Sequence, residues 1–156
     1  MAAPLRRISC SRLDELAHRP NAPGETVKTN ADIVLAASGA MALADALALM
    51  GYLAADVRWQ VHAADPGAAP WFGVYRGKRG VLQFLQDIAV IGPVEITDLA
   101  LVSEGDLVVK WIRVRFRGSD GRTTDMDEAH FWRLVDGRIV SVDILVDTVA
   151  VAAAFA

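Results

Sequence analysis

From Val94 onward the chain reads as one extended segment after another. VEITDLALVS, DLVVKWIRVRF, TTDMDEAHFWRLV and RIVSVDILV follow in turn, joined by Glu104-Gly105-Asp106, Ser119-Asp120-Gly121 and Asp136-Gly137. Asp-Gly between apolar runs marks a tight hairpin, because glycine accepts the positive φ of such turns. Four strands joined this way form an antiparallel meander. Successive side chains in a strand alternate between two faces, so one face of this sheet needs a covering layer.

The cover lies upstream. ADIVLAASGAMALADALALMGYLAADV is built from Ala, Leu and Met, all good helix formers, but is too long for one ordinary helix. Asp45 can cap a second helix, which predicts helices over 31–43 and 46–54, the first with Asn30 as N-cap. VRWQVH then alternates Val57, Trp59 and Val61 with Arg58, Gln60 and His62, the mark of a strand with one buried face. AADPGAAPWFG is a loop and VYRG a short extended piece. KRGVLQFLQDIAVIG sets Val81, Leu82, Leu85 and Ile88 at helical spacing, giving a third helix over 78–91. DTVAVAAAFA closes the chain as a short helix or apolar tail. Helices first and a long sheet after make the class α+β.

At 156 residues the chain suits one domain. Residues 1–29 carry three of the six prolines and no sustained period, so a flexible N-terminal arm is expected there and a folded domain over 30–156. Hydrophobic residues make up 53% of the chain, much of it alanine, which suggests close small-residue helix packing or an extra apolar surface such as a pocket or subunit interface. A net charge of −3 supplies no footprint for nucleic acid or an anionic membrane, and Arg6-Arg7 and the Arg113, Arg115, Arg117 run are too short to reverse that. The lone Cys10 fits a reducing compartment and reads as an inert thiol. No apolar run approaches the roughly 20 residues that cross a bilayer, and LRRISCSR is too polar for a signal peptide, so a cytoplasmic location is expected. Three scattered histidines with no paired spacing give no metal signal, GVYRGKRG lacks the phosphate-loop pattern, and no cofactor is expected.

Four phrases in this order resemble the SnoaL-like, nuclear-transport-factor-2-like superfamily: the helical pair running into LAADVRW, then GVYRGKRGVLQFL, then AHFWRLVDGRIV, and the closing DT. The resemblance implies a cone, or cystatin-like roll, in which a strongly curved antiparallel sheet wraps three helices around an internal pocket. Members include ketosteroid isomerases, polyketide cyclases, epoxide hydrolases, dehydratases and non-catalytic modules, so the fold leaves the chemistry open. It also implies a strand phase. Trp59, Val61, Glu128, His130, Trp132, Val142 and Ile144 are expected to face the pocket, with Ile139 and Asp147 as anchors. By hairpin count Trp111 and Arg113 join them, although one bulge would exchange these for Lys110 and Ile112.

Carried onto this chain, the isomerases' proton-shuttling aspartate falls on Val61 and the acidic residue of the epoxide hydrolases and cyclases falls on Ile144. Neither can move a proton. Glu128 and His130 remain, two apart on one strand face and about 7 Å apart at Cα. The expected arrangement has His130 as proton carrier, Glu128 orienting it, Arg113 holding a developing oxyanion, and Trp59 and Trp132 as flat walls for a ring. The function implied is binding of a small hydrophobic molecule, or cofactor-independent isomerase-, cyclase- or dehydratase-like chemistry on one. The alternative is a binding or dimerisation module in which His130 and Glu128 form a structural network. On the other sheet face Val108, Ile112, Val114, Phe116, Phe131 and Leu145 are too apolar for water, and a homodimer through that face is expected.

Overall fold

The computed structural model describes residues 28–155. The expected N-terminal arm and Cys10 fall almost wholly outside this range. The first helix, α1 (Asn30–Ala42), begins one residue earlier than expected, at the residue expected to cap it. Thr29 takes that role in a reciprocal capping box: its hydroxyl accepts from the Asp32 N–H while the Asp32 carboxylate accepts from the Thr29 N–H. Asp45 caps α2 (Ala46–Tyr52) as the sequence predicts, accepting from the Ala48 N–H at 3.0 Å. The chain then runs through β1 (Leu53–His62), β2 (Gly73–Arg76) and α3 (Gly77–Ile88), which ends in a 3₁₀ turn over Ala89–Ile91. The meander follows as β3 (Glu95–Glu104), β4 (Leu107–Arg117), β5 (Thr123–Val135) and β6 (Arg138–Leu145). The C-terminal segment is a helix, α4 (Thr148–Ala154), and Asp147 is its N-cap.

The six strands form one curved, unclosed sheet in the order β2-β1-β6-β5-β4-β3. The α+β class and the cone stand as the sequence led one to expect. One pairing departs from a purely antiparallel sheet: β1 lies parallel to β6, since the chain must pass through α3 and the whole meander before returning to it. Register shifts at Leu53/Arg58, Asp98/Ala100 and Arg133/Leu134 interrupt three ladders. Such irregularities add local twist and bend, which is how a six-stranded sheet curls around helices.

Successive rows of inward side chains cross the sheet. The first runs Trp59, Val142, Trp132, Val108, all fully buried. Trp59 meets Trp132 edge-on at 5.6 Å and leans on Phe84 of α3 at 5.3 Å. This dry row closes one end of the cone, and it leaves both indole N–H groups without a partner among the described residues. The next row is Val61, Ile144, His130, Lys110, and the one after it pairs Glu128 with Ile112 and Ile112 with Asp98. Polar groups therefore enter the interior only one row above the tryptophans. Trp132→Ala should lower unfolding free energy by about 3–5 kcal/mol, read from urea denaturation. A loss under about 1 kcal/mol would mean that this end of the cone is loosely packed.

Candidate functional site around Glu128 and His130

A hollow of about 210 Å³ opens above the tryptophan row. Its walls are apolar: Val61, Ile112, Val114, Met126 and Ile144 from the sheet, Met41 from α1, and Phe84, Leu85 and Ile88 from α3. Trp71 of the loop before β2 completes it, held by an edge-on contact of 5.2 Å with Phe155 beyond α4. The titratable groups on this wall are Glu128 and His130. Val61 and Ile144 line the hollow as expected. Trp59, Trp132 and Val142 face inward but sit beneath it as packed core, which corrects their assignment as lining walls.

Glu128 Oε2 and His130 Nε2 are 2.7 Å apart. An ionised carboxylate only accepts, so Nε2 carries the proton and Nδ1 of the neutral ring is left as a bare acceptor. That Nδ1 is buried and has no partner among the described residues. Leaving a buried polar atom unsatisfied costs about 1–3 kcal/mol, the kind of expense that structure alone seldom repays. Access is unequal within the pair. The His130 side chain is 3% exposed and that of Glu128 is 13%. Both members line the hollow, and the carboxylate is the more exposed of the two.

The expected inward placement of Trp111 and Arg113 is overturned. The connection over 118–122 pairs Arg117 with Thr123, and from there the β4–β5 ladder runs unbroken to Leu107 opposite Arg133. Residues opposite each other share a face, so Lys110 lies beside His130 and Ile112 beside Glu128. Trp111 and Arg113 go to the outer face, where Arg113 is 53% exposed and its Nε donates to Asp127 at 2.7 Å. Arg115 does the same with Asp125. Aspartate therefore offsets two arginines of the basic run, and Arg113 is removed from any oxyanion role inside the cone. The sequence held a usable signal: the odd phase of LVVKWIRVRFR carries three arginines, while the even phase is Val108, Lys110, Ile112, Val114 and Phe116.

That even phase hides the residue the sequence reading passed over. Lys110 is buried, its side chain only 9% exposed; Nζ donates to Ser38 Oγ of α1 at 2.9 Å and forms an ion pair with Asp98 Oδ1 of β3 at 2.9 Å. Ser38 Oγ in turn donates to the Leu35 carbonyl at 3.2 Å. Asp98 reaches the inner face because of the irregularity that follows it: two residues, Leu99 and Ala100, separate it from the next inward position, Leu101. A second hollow of about 460 Å³ opens between α1 and these strands, lined by Ser38, Asp98, Lys110 and His130. It shares Met41, Ala42, Ile96, Ile112 and His130 with the first, so the two adjoin. Among the described residues no group of three or more His, Cys, Asp or Glu is placed to hold a metal ion.

The outer face is less apolar than expected, since Val108, Ile112, Val114 and Phe116 all point inward. What remains is a strip across four strands. Ala100, Trp111, Ala129 and Leu145 form one row, and Val102, Val109, Phe131 and Asp143 the next. Asp143 accepts from Arg58 Nη1 at 3.0 Å and lies 2.8 Å from His62 Nε2. Burial by itself would raise the Asp143 carboxyl, but the bonds from His62 and Arg58 outweigh it and hold the group below the usual carboxylate value.

A sequence model of the SnoaL-like domain matches residues 34–142. No curated protein matches the sequence. Among solved structures, a nuclear-transport-factor-2-like protein of unknown function from Burkholderia pseudomallei is 22% identical with a TM-score of 0.76, over 83% of this chain and 98% of that one. TerC, co-crystallised with polyporic acid, is 23% identical with a TM-score of 0.73, over 80% and 96%. IdmH of Streptomyces antibioticus, described as a candidate polyketide cyclase, is 23% identical with a TM-score of 0.66, over 81% and 97%. At these identities the likeness is one of fold. No helix among the described residues is long and apolar enough to cross a membrane.

A depressed carboxyl stabilises the fold fully above its unfolded value near ~3.9, and the contribution is lost as pH falls through the lower folded value. Asp143→Asn should therefore be less stable than the parent at neutral pH, with the difference shrinking as pH drops below about 4. Urea midpoints across pH 2–7 (roughly, the range that spans the transition) check this, and a gap that stays constant to the acid end would contradict it.

Proposed function

The chain belongs to the SnoaL-like domain family, and on that premise we propose that it takes a small, mostly apolar molecule into the cone and moves a proton on it without a cofactor. The observation that carries the reading is the pairing of Glu128 with His130 at the wall of an otherwise apolar hollow. His130 donates through Nε2 to one carboxylate oxygen and so fixes the group in place, leaving Oε1 for the ligand. Glu128 is thus the proton acceptor and donor, and His130 the positioning residue. Apolar walls supply the ligand's binding energy. The mouth continues them, since Leu43, between the lining residues Ala42 and Ala44, and Val90 on the turn after α3 are both exposed. Isomerisation, cyclisation and elimination on a carbonyl or ring compound all need such a proton acceptor in a dry site.

The strip on the outer face favours a homodimer as the working form. Trp111 is 49% exposed at its centre, with Leu145 and Phe131 on neighbouring strands. The Arg113–Asp127 and Arg58–Asp143 pairs flank it with both signs of charge, which a two-fold axis can match against themselves. A location in the cytoplasm, in keeping with the cysteine usage, completes the proposal.

Glu128→Gln keeps the hydrogen-bonding shape but removes the proton acceptor. Turnover of any substrate found by screening enolisable ring ketones should fall by about 10²-fold or more, while ligand affinity and melting temperature change little. His130→Ala should lose less activity and more stability. Activity surviving in Glu128→Gln and absent in His130→Ala would return the proton to the imidazole. For the assembly, sedimentation at micromolar concentration should show a species of twice 16.8 kDa, and Trp111→Glu should return it to one. A parent protein that sediments only as the 16.8 kDa chain would rule out the dimer.

A further inference from the structure

We propose that Lys110 holds the negative oxygen of the ligand, and that the ligand is therefore a ring compound bearing a phenolic, enolic or carboxylic oxygen. The inference rests on the reading that a ligand enters the cone and that Glu128 accepts its proton. An ammonium buried to this degree among Val108, Ile112 and His130 is costly, and its one carboxylate partner among the described residues, Asp98, is 56% exposed and so well solvated. Of the three Nζ donors, Ser38 takes one and the ion pair with Asp98 engages at most a second. The third is left at the wall of the second hollow, next to the place where that hollow joins the first at Ile112 and His130.

One ligand can therefore lie with its apolar body against the first hollow and its oxygen towards the ammonium. When Glu128 takes a proton from the ligand, the electron pair left behind settles on that oxygen. The carboxyl becomes neutral as the ligand becomes an anion, so net charge in the site is unchanged and the ammonium faces the new charge at short range. His130 stays bound to Glu128 throughout. This is the role the sequence assigned to Arg113, filled instead by the residue that the β4–β5 register puts beside His130.

The test uses 4-nitrophenolate as the anion and 4-nitrotoluene as its uncharged counterpart. Both are titrated into Glu128→Gln, which reproduces the neutral carboxyl that follows proton transfer. The phenolate should bind at least about 10-fold more tightly than the toluene, a preference of the size of one charge-assisted hydrogen bond. Adding Lys110→Met should erase that preference while 4-nitrotoluene affinity stays the same, which also shows that the double variant is folded. Adding Asp98→Asn instead should tighten phenolate binding, since the competing carboxylate is gone. Equal binding of the two probes to Glu128→Gln, a preference that survives Lys110→Met, or no tightening with Asp98→Asn each overturns the inference and leaves the pocket reading intact. If neither probe binds at millimolar concentration, the pocket reading fails and this inference goes with it.

Discussion

The β4–β5 ladder runs without a break from Arg117–Thr123 to Leu107–Arg133, and the placement of nearly every chemically active side chain depends on it. Strand register is all or nothing: a slip of one residue turns every side chain on a strand to the other face. Here the register seats Lys110 beside His130 and Ile112 beside Glu128, and it sends Trp111, Arg113 and Arg115 outward. The alternative would bury three arginines and expose Ile112, Val114 and Phe116. Burying unpaired guanidinium groups costs several kcal/mol each, so the hydrophobic effect and charge solvation select the same register.

Polar groups inside the cone are confined to a narrow band. Below it the row of Trp59, Val142, Trp132 and Val108 is dry and closely packed against α3. Above it the hollow is bounded by the turn between α1 and α2 and the 3₁₀ segment after α3. The band holds a carboxylate, an imidazole and an ammonium, with Asp98 and Ser38 as supports. A purely structural network of this kind would be expected to satisfy all its members. This one leaves His130 Nδ1 without a partner among the described residues and places Glu128 on the wall of a cavity. On the proposed reading, both features give up some stability for a site able to react.

The outer face shows the opposite treatment of charge. Arg113 and Arg115 meet Asp127 and Asp125 directly across the ladder, and Asp143 gathers Arg58 and His62. Exposed pairs of this sort add little stability each. Their effect is to keep a basic sequence run from presenting a basic surface, in line with the modest net charge of the chain. They also frame Trp111, Phe131 and Leu145 as an apolar patch with a polar rim, the usual anatomy of a protein interface.

Period-two patterning, the Asp-Gly turns and the Asp45 cap determined from sequence the order of helices and strands, the α+β class and the pairing of Glu128 with His130 on one face. These are local properties, set by which side chains a short stretch can bury and which φ values its turns can reach. The tertiary structure settled which face of β4 looks inward: the composition of its two faces favours one phase, a count along the connection over 118–122 suggested the other, and the pairing of Arg117 with Thr123 decides between them. The tertiary structure alone separated the tryptophans that fill the core from the walls that line the hollow, and brought Ser38, Asp98 and Lys110 together from three separate elements. The physical reason is the same in each case. A side chain's identity fixes what it needs, whereas its partners come from strands and helices far away in the chain, and only packing brings them within reach.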